Sequence, residues 1–124
     1  MTEEKSTCSS GPKLIFACSG AADVGAIADF AARKMTREGI GKMFCLAGVG
    51  GKIESIMKTT QSASKILAID GCPLNCVKAC LEQAGFNNFL HLQVADLGLE
   101  KGKAAPNEKN VNKVAAKGSE LLKD

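Results

Sequence analysis

Two periods of apolar residues alternate along the chain, and the switches between them mark out its elements. KLIFACSG begins with the apolar run Leu14–Ala17 and ends on Cys18, Ser19 and Gly20, which predicts a buried strand and a tight turn. In ADVGAIADFAARKMTREG, Val24, Ile27, Ala31 and Met35 recur at helical spacing, and Gly39 sits where the helix would stop. KMFCLAG predicts a second strand with Cys45 near its end, followed by a turn at Gly48, Gly50 and Gly51. KIESIMKTT predicts a short helix with Ile53, Ile56 and Met57 on one face. KILAID, with Ile66 to Ile69 unbroken, predicts a strand covered on both faces. PLNCVKACLEQAG predicts a third helix, with Pro73 in its first turn and Gly85 at its stop. NNFLHLQVA supplies a fourth strand, residues 96–106 a polar loop, and residues 107–122 an amphipathic helix carrying Val111, Val114, Ala115, Leu121 and Leu122.

The order βαβαβαβα predicts an α/β domain: an open parallel sheet of about four strands with helices on both faces, a Rossmann-like three-layer arrangement. Right-handed crossovers favour the strand order 2-1-3-4. Residues 1–12 are polar and small and predict a disordered tail, which leaves residues 13–124 as one domain.

Composition narrows the function. The net charge of +3 is small, and no aromatic residues interleave with the scattered lysines, so no nucleic-acid partner is expected. No apolar run approaches the ~20 residues of a membrane span. The N-terminus lacks the apolar core of a signal peptide, and a cytoplasmic protein is expected. In that reducing compartment six cysteines point to metal binding or thiol chemistry before disulfides.

The predicted topology gathers the sulfurs. Cys18 and Cys45 end strands 1 and 2, and Cys72 lies just past strand 3. In the order 2-1-3 these neighbouring strands end on one edge, where open α/β sheets bind ligands. Cys76 follows Cys72 by four residues at a predicted helix start, within reach of one zinc ion. The helix N-terminus would also favour thiolates electrically. Cys80 is too far from Cys72 to share an ion with it. It borders the expected core stripe Leu74, Val77, Leu81 and Ala84, and is expected to be a buried structural thiol. Cys8 is expected to be a free thiol in the tail. His91 is expected to be a half-buried or edge histidine, and Asp70 to accept backbone N–H groups from the turn beside it. Neither Gly20-Ala-Ala-Asp-Val-Gly25 nor Gly48-Val-Gly50-Gly51-Lys52 meets the phosphate-loop pattern, since the residues that should follow are wrong or the spacing is short.

CSGAADVG (18–25), CLAGVGG (45–51), DGCPLNCVKACLE (70–82) and DLGLEKGK (96–103) together resemble the DGC-domain proteins, a family named for an Asp-Gly-Cys motif, here Asp70-Gly71-Cys72. The resemblance spans about residues 13–122. It implies a zinc-binding protein with four metal ligands, which fall on Cys18, Cys45, Cys72 and Cys76, the set the topology also gathers. It implies no reaction. The leading expectation is therefore a non-catalytic metal-binding or regulatory module holding one zinc. The alternative is a thiol-redox or sulfur-handling enzyme using Cys72 or Cys76, although their C-x3-C spacing differs from thioredoxin-like centres. An iron–sulfur carrier is a further alternative, with cysteine spacing unlike either common ferredoxin run.

Overall fold

A computed structural model describes residues 11–124; the expected tail and Cys8 fall largely or wholly outside the described residues. Four strands form an all-parallel sheet: β1 (Lys13–Ala17), β2 (Lys42–Met43), β3 (Lys65–Asp70) and β4 (Leu90–Gln93), in the order β2-β1-β3-β4. Side chains alternate across β1 and β3, so each strand feeds two cores. Ile15, Ala17, Leu67 and Ile69 face helices α1 (Asp23–Arg37) and α5 (Glu108–Leu122). Leu14, Phe16, Ile66 and Ala68 face the other layer, made by α2 (Leu46–Gly50), α3 (Glu54–Gln61) and α4 (Cys76–Gln83). The three-layer α/β fold and its strand order are those expected from the pattern.

The stripe on α1 is also as expected, with Val24, Ile27, Ala31 and Met35 fully buried. On α5, Val111, Val114, Ala115 and Leu122 are buried, while Leu121 is half-buried. Gly39 adopts a φ of 77° just past α1, the left-handed conformation that suits a glycine at a helix stop.

Three local readings are corrected. The second strand stops at Met43, and Cys45 instead caps α2, its sulfur accepting the Gly48 N–H at 3.3 Å. The expected glycine turn is thus largely helical. Ile53 caps α3 from outside its apolar face and is 53% exposed. The third correction bears on the site. Pro73 opens a turn rather than a helix: Asn75 donates its N–H to the Cys72 carbonyl at 3.3 Å. Asn75 then takes a φ of 57°, a conformation asparagine tolerates, and α4 starts at Cys76. Leu74 consequently lies outside the helix and is 73% exposed, while Val77 and Leu81 are buried as expected.

One tie organises the far loop. Asp23, in the first turn of α1, accepts N–H groups from Gly102 at 2.9 Å and Ala104 at 3.1 Å, as well as from Val24. These donors hold its carboxyl below the ordinary value of 3.8. Asp23→Ala is expected to speed amide exchange at Gly102 and Ala104 by at least about tenfold, since each exchanging N–H loses its acceptor. In the wild type the same protection is complete at neutral pH, because the folded carboxyl titrates below its unfolded value. It is lost as the pH falls below about 3.8, which exchange measured across acidic pH would reveal.

Candidate metal centre

The carboxyl edge of the sheet carries the sulfurs. Cys18 follows β1 directly and is half-buried; its N–H donates to the Ile69 carbonyl at 3.1 Å. Its sulfur accepts the Gly71 N–H at 3.3 Å, which ties the end of β1 to the Asp70-Gly71-Cys72 segment after β3. Cys72 is half-buried against the α1 core, and Cys45 and Cys76 are exposed. The sulfurs of two of the four expected ligands, Cys18 and Cys45, thus each accept a backbone N–H.

Glycine makes the close approach possible. A Cβ built on Gly71 would lie 2.6 Å from the Val24 carbonyl oxygen and 2.9 Å from the Gly25 nitrogen. The loop after β3 thus lies directly on the first turn of α1, with no room for a side chain between them.

Asp70 organises the other side. It is 1% exposed, and its Oδ1 accepts the Val77 N–H at 2.8 Å while Oδ2 accepts the Lys78 N–H at 3.2 Å. Oδ2 is also 2.8 Å from His91 Nε2 on β4. The expected N–H acceptance is present, with donors from the first turn of α4. His91 is half-buried on an edge strand as expected, but it also braces the carboxylate, a pairing that sequence separation concealed. Asn75 and the Gln93 side-chain amide form a second link between the Cys72–Asn75 turn and β4.

This carboxylate changes the electrostatics expected for Cys76. The positive end of α4 is already occupied by Asp70, so it does not favour a free thiolate there. Partial desolvation, then Asp70, then the neighbouring Cys72, Cys18 and Cys80 push the Cys76 thiol above its ordinary value. A cation among these sulfurs would reverse that balance.

Cys80 also departs from expectation. It is half-buried, not a core thiol, and lines a cleft of about 940 Å³ together with Cys18 and Cys45. On the far wall Asp29 accepts Ser19 Oγ–H at 2.7 Å and Arg33 Nε–H at 2.6 Å, and Arg37 follows one turn later. The helical wheel places Cys80 at the border of the stripe that buries Val77 and Leu81, and that border is only partly covered.

The donor set suits a thiophilic ion in kind: several free thiols past the strand ends, two of them accepting backbone N–H groups at their sulfurs. Among the described residues, no three His, Cys, Asp or Glu side chains are arranged to hold a metal ion. No helix of the described residues is long and apolar enough to cross a membrane.

The DGC domain family matches residues 14–117 of the chain. The chain is also 41% identical over 88 residues to the anaerobic and virulence modulator AnvM of Pseudomonas aeruginosa, covering 71% of this chain and 67% of that protein. No solved structure matches it. With the motif segments gathered on one sheet edge and the match extending over most of the fold, the chain belongs to the DGC domain family.

Proposed function

We propose that the protein binds one zinc ion through Cys18, Cys45, Cys72 and Cys76 and acts as a non-catalytic metal-binding or regulatory module in a reducing, cytoplasmic setting. The observation that carries this reading is the Gly71 N–H bonded to the Cys18 sulfur, which brings the Asp-Gly-Cys segment against the sulfur that ends β1. When bound, zinc would supply a charge that favours all four thiolates. The chain's own part is to present the sulfurs. Gly71 and Gly48 donate to them, and Asp70 fixes the start of the helix that carries Cys76. The name of AnvM as a modulator supports a regulatory role over an enzymatic one.

A thiol-redox role with Cys76 as the nucleophile is weakened. A nucleophilic cysteine needs a lowered thiol pKa, and here desolvation and Asp70 raise it.

Native and denaturing mass spectra of protein purified without added metal test the proposal. One zinc is expected on the wild type. It is expected to be lost on changing Cys18, Cys45, Cys72 or Cys76 to serine and retained on changing Cys8 or Cys80. A wild type without metal, carrying instead the mass deficit of a disulfide, would move redox chemistry to the front.

A further inference from the structure

Cys80 lies outside the four-sulfur set, yet it faces the cleft of about 940 Å³ that Cys18 and Cys45 also line. These three thiols are not alike. The Cys18 sulfur accepts the Gly71 N–H and the Cys45 sulfur accepts the Gly48 N–H, each at 3.3 Å. Two of the three are thus already engaged with backbone. Cys80, half-buried on α4, is the third.

The same cleft is cationic along α1, which contributes Arg33 and Arg37 to its lining. Like charges one helical turn apart repel each other. Asp29 relieves only Arg33, whose Nε lies 2.6 Å from its carboxylate. Arg37 has no acidic partner among the described residues. The wall therefore keeps a positive charge that favours an anion. A guanidinium meets a carboxylate with two parallel N–H donors. Met43 and Phe44 add apolar surface, and the volume is that of a small-molecule site. A thiol, a carboxylate receptor and apolar surface in one opening suit a small organic disulfide that carries carboxylates.

We propose that this cleft receives a low-molecular-weight disulfide bearing carboxylates, that Arg37 holds a carboxylate, and that Cys80 is modified by forming a mixed disulfide with it. Cys80 is outside the proposed ligand set, so the modification stands whether or not the four-cysteine zinc reading holds. The Cys80 sulfur gives its proton to water and attacks one sulfur of the bound disulfide. A bond forms between these two sulfurs, and the sulfur–sulfur bond of the ligand breaks. The departing thiolate takes up a proton and leaves as a free thiol. Cys80 is oxidised, the departing sulfur is reduced, and the disulfide itself is the oxidant. Holding the disulfide beside Cys80 makes the encounter intramolecular, which is the cleft's contribution to rate. An excess of the free thiol runs the step backwards, so the modification is reversible.

The test exposes the full-length protein to glutathione disulfide, a net anion, and separately to cystamine, a cationic disulfide, with adducts timed and mapped by mass spectrometry. Trypsin cuts after Lys78, which puts Cys80 on a different peptide from Cys72 and Cys76. Glutathione disulfide is expected to place a glutathionyl group on Cys80, and Cys80→Ser to abolish that adduct. Arg37→Gln is expected to slow the Cys80 adduct from glutathione disulfide by about threefold or more at low salt, with the cystamine reaction not slowed. Arg37→Lys should largely preserve the rate. An adduct on Cys18 or Cys45 in place of Cys80 would overturn the assignment of the reacting sulfur. A wild-type rate in folded Arg37→Gln, or equal slowing with both disulfides, would overturn the role of Arg37. No adduct on any cysteine of the cleft would overturn the site itself. Failure of the zinc reading would show in the native mass spectrum and leave these rates unchanged.

Discussion

Replacing Asp70 with alanine is expected to destabilise the metal-free protein by about 3 kcal/mol, because three donors lose one shared acceptor. The Val77 N–H bond is buried, so water replaces that partner poorly; Lys78 and His91 are less enclosed and recover part of the loss. Asp70→Asn should cost less, since its amide oxygen can still accept from one of the helix N–H groups. Chemical denaturation with a chelator present separates this effect from metal binding, which would otherwise add to folded-state stability. On the proposed four-cysteine reading, the same variant should also weaken zinc binding, because the start of α4 positions Cys76. A loss within a few tenths of a kcal/mol of zero would mean that the carboxylate is dispensable to the fold.

Gly71→Ala is the second large effect, at about 3 kcal/mol, near the upper end for overpacking a close-packed site. The added carbon would meet the Val24 carbonyl oxygen at 2.6 Å and its carbon at 2.7 Å. Both belong to the backbone, so no rotamer change can relieve the clash; α1 or the loop after β3 must move. Such movement should also disturb the Gly71 N–H bond to the Cys18 sulfur. Denaturation measures the loss, and amide chemical shifts at Val24 and Gly25 locate it. Unchanged stability and unchanged shifts would contradict the close approach. The three residues of the motif thus have three physical tasks: a buried acceptor, a contact too close for a side chain, and a sulfur.

The sheet was legible in the sequence because its signals are local and redundant. KILAID has no polar interruption between Ile66 and Ile69, and α1 repeats its apolar stripe over the whole helix. Right-handed connections then leave few strand orders. The start of α4 was not legible, because proline has a similar φ at the first turn of a helix and at the second position of a turn. What separates the two is the left-handed Asn75 and a carboxylate seven residues before Val77, together with its contact to β4. Cys45 escaped for a related reason: KMFC reads as strand, and its sulfur's role as a helix cap depends on how the following glycines fold. At the site, sequence put Cys18 at the end of β1 and Cys72 just past β3, where the structure has them. It could not show that Cys80 opens onto a cleft, since that depends on which side of α4 the neighbouring layer leaves uncovered.

The brevity of β2 has a consequence for the molecule among its own copies. An open sheet has two outer strands whose unpaired backbone groups invite a further strand. Here one outer strand has only two residues, one of them an exposed lysine, and the other has four. Neither offers a long flat template, so the cleft above the sheet can stay open without inviting edge-to-edge aggregation.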